Sequence, residues 1–365
     1  MGFLPSKSDT SLFTRFTTTA TLFILIYVDG ILVTGNSHAL VQLFITQLSS
    51  HFALKDLGRL HYFLGVEVTW HANTSLHLSQ SKYICDLLHR TDMLHAKPQP
   101  TPMVSSLRLT ADGSTSVEDP TFFRSIVGAL QYVTITRPEL SFVVNHVCQY
   151  MHKPQQSHWK AVKRILRYLA GTSSHGLLLC SSPSYSIIGF SDSDWATDLD
   201  DRKSTTGYCI FLGLNPVSWV SKKQKIVSCS STKAECRSVA AALTDMIWIQ
   251  SLLHELWIRS TTPRLYCDNL SAVQLAANPI MHSRSKHFEL DLHFVRDHVL
   301  AKSLTLIHLP SQFQVADIWT KPISSSPFHS FRCKLRVFDK SSHLSLRGEL
   351  TECIQSLLKL YKYCR

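Results

Sequence analysis

The chain has 365 residues, 44% of them hydrophobic and 17% charged, with a formal net charge of +11. That describes a soluble globular protein with enough chain for two or three domains, and its positive balance favours a polyanionic partner. Ten cysteines are scattered without a CxxC pair and no secretory signal is recognisable, which argues against a disulfide framework and for reduced thiols in an intracellular protein, cytoplasmic or nuclear rather than secreted.

Near the start, TLFILIYVDGILVTG is the run most easily mistaken for a membrane span. Asp29 and Gly30 interrupt it, and it falls short of the roughly 20 apolar residues a span requires, so no membrane partner is expected. It predicts two buried strands joined by a tight turn at Asp29-Gly30. Residues 97–119, rich in Pro, Ser and Thr, read as a linker. TFFRSIVGALQYVTITRPEL predicts a helix ending near Pro138, and a second helix is expected over 141–151. SHWKAVKRILRYLAGT predicts a third, with Trp159, Val162, Leu166 and Leu169 on one face, Lys160, Lys163, Arg164 and Arg167 turned away, and Gly171 as its stop. That basic face either tracks a phosphate backbone or is a solvated cationic surface.

The chain is organised around 187–201. A short apolar strand, Ile187, Ile188, Gly189 and Phe190, runs into five aspartates, Asp192, Asp194, Asp198, Asp200 and Asp201. A carboxylate at the end of a buried strand is costly unless a proton, a cationic side chain or a metal ion compensates it. Oxygen-only ligands point to a hard cation, magnesium or manganese. Asp198, Asp200 and Asp201 read as an acidic turn facing solvent, whereas Asp192 and Asp194 lie too close to the apolar run for that.

Three further acids occupy similar settings. After a hairpin expected over 206–219, Ser230 or Ser231 caps a long helix in which Glu235, Val239, Ala242, Met246, Ile249, Leu253 and Leu256 recur at steps of four and three. Glu235 therefore falls on the buried stripe. A short strand over 264–267 ends at Asp268, just before a helix over 270–277. Residues 304–309 read as a strand and 315–320 as a helix start, with Asp317 in its first turn.

The segments GFSDSDWATDLDDRKSTTGYCIFLG, VSWVSKKQ, SCSSTKAECRSVA, LYCDNLSAVQLAANP, SKHFELDLHFVRD and VADIWTKP together resemble the ribonuclease H domain of Ty1/copia-type retrotransposon Pol polyproteins. The resemblance implies an α/β fold with a five-stranded mixed sheet and flanking helices, and an Asp, Glu, Asp, Asp set that binds two magnesium ions, for which manganese can substitute. Those positions fall on Asp192, Glu235, Asp268 and Asp317. His308 is similar to the histidine that assists proton transfer or product release in that family, though an exposed strand-end histidine accounts for it equally well. Upstream, SKSDTSLF, LIYVDGILVTGN, FALKDLGRLHYFLGVEV and LHLSQSKYICDLLHRTDM resemble the palm of a copia-type reverse transcriptase. There the family has YVDD, whereas this chain has Tyr27, Val28, Asp29 and Gly30. Of the polymerase carboxylates Asp29 alone is matched, Asp9 corresponding to a different position, so the polymerase part is expected to be truncated and inactive.

The implied organisation is a partial palm and start of thumb over 1–96, thumb and connection helices over 97–183, a ribonuclease H-like domain over 184–325 and a tail over 326–365. The expected activity is two-metal cleavage of the RNA strand of an RNA/DNA hybrid, without a small-molecule cofactor, RNA being selected through its 2′-hydroxyls. Arg202, Lys203, Lys222 and Lys223 are candidate backbone contacts. The alternatives are a nucleic-acid-binding remnant that does not cut, or a decayed transposon product with no cellular function.

Overall fold

The computed structural model describes residues 2–28, 30–71, 75–182, 184–278 and 286–341. Asp29, with its expected polymerase role, and residues 342–365 of the expected tail lie outside the described residues. Among the described residues no helix is long and apolar enough to cross a membrane.

The first sheet is antiparallel, β1 (Leu4–Pro5), β2 (Leu12–Phe16), β3 (Thr21–Tyr27) and β4 (Gly30–Gly35) in spatial order. Tyr27 pairs with Gly30, so Gly30 is the first residue of β4 and not a turn residue. The strands are half-buried rather than buried: Leu22 and Ile24 face inward, while Ile26 and Ile31 are exposed. Helix α1 (His38–His51) follows, with Ser37 capping it through the Leu40 N–H. Trp248 Nε1 donates to Ser8 O at 2.9 Å, and Glu255 accepts from Lys7 N, Ser8 N and Ser8 Oγ, tying this sheet to a helix far along the chain.

A second sheet, not anticipated from sequence, gathers strands from distant segments. Its order is β14 (Val337–Asp339), β8 (His175–Cys180), β7 (Ser75–Ser79), β6 (Val66–His71), β5 (Tyr62–Phe63), antiparallel throughout. Segments assigned from sequence to palm, connection and tail thus meet in one sheet, and the divisions at 96/97, 183/184 and 325/326 are not divisions of it. Helix α2 (Ser81–Arg90) precedes the 97–119 stretch, and α3 (Pro120–Val133), α4 (Ser141–Cys148) and α5 (Gln156–Ala170) follow it. Asp119 caps α3 by accepting from Thr121 N and Phe122 N. This helix stops at Val133, short of Pro138, because Thr134, Ile135 and Thr136 are β-branched and the residue before a proline is pushed out of the helical region. Gly171 caps α5 with φ −84°, a right-handed conformation; a Cβ there would meet Pro98 Cβ at 2.8 Å, so it is close approach and not a left-handed turn that requires glycine.

The 97–119 stretch is not a free linker. Thr101, Met103 and Leu109 are buried, Arg164 donates to Gln99 and Thr101, and Arg167 Nε donates to Lys97 O at 2.7 Å. Two of the four basic residues on α5 are therefore committed to this strap, and of that face only Lys160 and Lys163 are exposed.

The third sheet is mixed, in the order β11 (Asn215–Lys223), β10 (Thr205–Leu212), β9 (Ile187–Ser193), β12 (Arg264–Cys267), β13 (Thr305–His308). β9 pairs antiparallel with β10 and parallel with β12, and β12 runs parallel to β13. This is the five-stranded mixed sheet that the resemblance implied. Every residue of β9 is buried because both faces are covered. On one side α6 (Ser231–Glu255) packs with Ile187, Ile210 and Leu265, joined by α7 (Leu270–Ala277) and α8 (Lys286–Leu300). On the other, Ile188, Phe190, Phe211 and Tyr266 share one core with α3, α4 and α5. A Cβ on Gly189 would lie 2.7 Å from Leu265 Cδ1 and 3.0 Å from Met246 Sδ, so the absence of a side chain there is what lets α6 settle onto the strand. A 3₁₀ turn at Val315–Trp319 closes the sheet's second face before α9 (Ser325–Lys334) leads into β14. Trp319 is fully buried there and donates from Nε1 to Pro138 O at 3.0 Å.

Candidate metal-binding acidic site

The register of the mixed sheet brings the acids together. Cys267 lies opposite Ser191 across the parallel β9–β12 pair, so Asp192 and Asp268, each one residue further on, emerge side by side at the same end of adjacent strands. Cys267 also lies opposite His308 across β12–β13, which puts His308 on the same rim. Alternation along β9 turns Ser191 toward α6, where its hydroxyl donates to Ser238 Oγ, and turns Asp192 toward the 3₁₀ turn.

Asp192 is 2% exposed. Thr320 Oγ1 donates to its Oδ2, and Lys321 Nζ stands 3.6 Å from the same oxygen. Glu235 comes from the second turn of α6, whose N-cap is Ser230, and is 4% exposed on the stripe that the sequence spacing indicated. Its Oε1 accepts from Ser193 N at 3.0 Å and its Oε2 from Cys267 Sγ at 3.7 Å. Asp268 is half-buried, and its Oδ2 accepts from Ser311 Oγ at 2.8 Å. Asp317 sits in the 3₁₀ turn with Lys321 Nζ 2.8 Å from its Oδ1.

These side chains form two overlapping triads. One oxygen each from Asp192, Asp268 and Asp317 lie within 4.8 Å of one another, as do ligand atoms of Glu235, Cys267 and Asp268. Asp268 belongs to both. Burial, then the charges of Asp192 and Asp268, hold the Glu235 carboxyl well above the usual carboxylate range. Burial and the neighbouring Asp192 push Asp317 up to about 6, with Lys321 pulling the other way. Desolvated carboxyls held above their usual range gain from a nearby cation, and the carboxylate oxygens of Asp192, Glu235, Asp268 and Asp317 suit a hard divalent one. The donor set therefore fits the ions implied above, with Asp268 placed to serve both halves.

The other sequence candidates separate from this cluster. Asp194 is buried, but it accepts from Thr197 Oγ1 and Thr205 N; it pins the loop after β9 and is absent from both triads, and burial raises its pKa to about 6. The three acids read as a solvent-facing turn are instead bonded. Asp198 and Asp201 hold Lys223 at 2.7 and 2.9 Å, and Asp200 accepts from Ala111 N at 2.9 Å. Lys223, and Lys203 with Asp201 at 3.1 Å, are thereby engaged within the protein, while Arg202 and Lys222 are exposed. His308 is exposed at the rim, its Nε2 3.2 Å from Asp268 O.

Sequence reasoning missed Cys267, Ser311, Thr320 and Lys321. Lys321 carried a signal, standing four residues after Asp317 as i,i+4 partners do. Cys267 also did, as the last residue of a strand whose next residue was a candidate ligand.

A mixed sheet with a central strand flanked on both faces, and carboxylates converging at the ends of its parallel pair, defines a ribonuclease H-like α/β domain. Residues 1–105 match the reverse transcriptase (RNA-dependent DNA polymerase) family. The chain is 49% identical over 338 residues to the retrovirus-related Pol polyprotein from transposon RE1 of Arabidopsis thaliana, covering 92% of this chain and 23% of that protein. It is 30% identical over 237 residues to a putative transposon Ty5-1 protein of Saccharomyces cerevisiae, covering 64% of this chain and 77% of that one. Among solved structures, LC11-RNase H1 isolated from compost is similar over 37% of this chain and 93% of its own, at 16% identity and a TM-score of 0.29. The chain belongs to the Ty1/copia-type retrotransposon Pol family, and it spans about a quarter of the length of the Pol polyproteins it matches.

Proposed function

We propose that the chain cleaves the RNA strand of RNA/DNA hybrids at the acidic site. The observation that carries this reading is the convergence of Asp192, Glu235, Asp268 and Asp317, from three strand or helix elements and a 3₁₀ turn, into two triads that share Asp268, the one with Glu235 being completed by Cys267. Such a site is expensive for a protein to maintain unless cations use it. Asp192, Asp268 and Asp317 would hold one magnesium or manganese ion, and Asp268 and Glu235 the other. Bound there, such ions supply an activated water and a stabilised leaving oxygen. Ser311 and Thr320 orient the Asp268 and Asp192 carboxylates through hydrogen bonds, and Ser193 N fixes Glu235. His308, exposed beside Asp268, is placed to exchange protons with a product phosphate at the rim. Hybrid is the substrate class because a family that copies RNA into DNA produces it, and the 2′-hydroxyl distinguishes the strand to be cut.

In the same reading the polymerase half is silent. Gly30 provides no carboxylate where the family has its second aspartate, and two-metal transfer needs ligands that place both ions. An intracellular location, cytoplasmic or nuclear, follows from the substrate. The test is magnesium-dependent cleavage by the purified chain of end-labelled hybrid, with single-stranded RNA, duplex RNA and duplex DNA as comparisons. Cutting of the hybrid's RNA strand alone supports the assignment, and no cutting of any substrate at millimolar magnesium or manganese removes it.

A further inference from the structure

Lys321 is placed to do more than decorate the rim of the acidic site. Its ammonium stands 2.8 Å from Asp317 Oδ1 and 3.6 Å from Asp192 Oδ2, bridging two of the three carboxylates of one triad. The other triad, Glu235, Cys267 and Asp268, makes no ion pair among the described residues, its contacts being hydrogen bonds from Ser193, Cys267 and Ser311. One half of the site is therefore neutralised by the protein's own cation and the other is open. The main chain below the lysine is fixed, since Lys321 N donates to Asp317 O at 2.9 Å and Thr320 N to the same oxygen at 3.2 Å. The side chain itself is 42% exposed, so its four-carbon stem can carry the ammonium into solvent without disturbing the turn. An ammonium and a divalent cation cannot share a pair of carboxylates: both seek the same oxygens and repel each other.

We propose that Lys321 is a built-in counter-ion for the Asp192–Asp317 half of the site, displaced when a divalent cation binds there, so that it sets the affinity of that half and makes the two halves fill in sequence. The proposal rests on reading the four acids as metal ligands. It accounts for how Asp192 and Asp317, both largely out of water, coexist in the folded chain. It also makes the open Glu235–Asp268 half the first to fill.

The test is equilibrium binding of Mn2+ to the full chain, followed by the electron paramagnetic resonance of free Mn2+, with thermal unfolding in chelator as the second readout. The parent should show two classes of site. In Lys321→Met the weaker class should tighten by about 10-fold or more, as expected when the metal no longer has to displace an ammonium held by two carboxylates, 2.8 and 3.6 Å away, even at water-like screening. Its unfolding midpoint in chelator should fall below the parent's, because Asp192 and Asp317 then face each other uncompensated. Lys321→Gln, which retains a donor to Asp317 without the charge, should move binding the same way and guards against a folding defect in the methionine variant. Lys321→Arg should resemble the parent. If the parent binds Mn2+ and both neutral variants bind it no tighter, the displacement proposal fails while the metal-site reading stands. If the parent and all variants take up no Mn2+, both fail.

Discussion

Gly207→Ala tests how the 3₁₀ turn is held against the sheet. Gly207 lies on β10 opposite Asp192 of β9. A Cβ built there would meet Thr320 Cγ2 at 2.5 Å, Trp319 Cβ at 2.9 Å and the Trp319 main-chain carbon at 3.1 Å. Restoring ordinary contact, which begins near 3.4 Å, requires Thr320 to retreat by about 0.9 Å, and the buried Trp319, bonded to Pro138 O, gives it little room. Overpacking of this kind costs about 1–3 kcal/mol. Thr320 bonds Asp192, and Asp317 lies three residues before it, so the same movement opens the Asp192–Asp268–Asp317 triad. A displacement near 1 Å at a reacting centre can cost roughly 100-fold in rate. Urea unfolding in chelator should show the stability loss, and hybrid cleavage should fall by one to two orders of magnitude while hybrid binding holds. A variant with parental stability and parental cleavage would refute the argument that the turn's approach to β10 positions Asp317.

Three further outcomes follow from particular contacts. Because burial and Asp192 raise Asp317 to about 6, it must lose a proton before it can ligate; Mn2+ affinity should climb as pH rises through 6, and Asp317→Asn should flatten that climb, whereas a flat parental profile from pH 5 to 8 would contradict the assignment. Arg137 and Glu139, both fully buried and 2.8 Å apart, are also bonded to Thr172 and Tyr168: Arg137→Ala, which leaves Glu139 buried without its cation, costs about 3–5 kcal/mol in urea unfolding, while Arg137→Met with Glu139→Leu costs less, and equal losses for the two would show that the pairing is not what matters. Primer extension on an RNA template should be undetectable and Gly30→Asp alone should not restore it, since the family's upstream polymerase aspartate would still be unmatched; extension by the unmodified chain would overturn the reading of that half.

The parts of the fold legible in the sequence are those set by local pattern. β12 and α7 span 264–267 and 270–277 as read, because a short apolar run and a capping Asn269 bound them. The 4-3-4 spacing behind Ser230 placed Glu235 on the buried face of α6. What could not be read depends on pairing at a distance. Nothing local to 62–79, 175–180 or 337–339 says that they share a sheet, and nothing near Arg164 and Arg167 says that the 97–101 strap claims them. The acidic loop shows the same limit: Asp198 and Asp201 looked solvated because their partner, Lys223, is more than 20 residues away on β11. At the site, the four carboxylates followed from strand ends and a helix face, together with the family resemblance. Lys321 did not, since a lysine beside an acid in sequence is most often a surface pair.

The measurement that bears most directly on the central claim is hybrid cleavage set against hybrid binding in Asp268→Asn, the residue common to both triads. The substitution keeps size and hydrogen bonding and removes one negative charge, so ion placement suffers more than folding. Cleavage in magnesium should fall by orders of magnitude, while binding, carried mostly by Lys and Arg contacts to phosphates, keeps its strength and its salt dependence. A variant that cleaves as well as the parent would show that Asp268 is no ligand and that the site is not where the chemistry occurs.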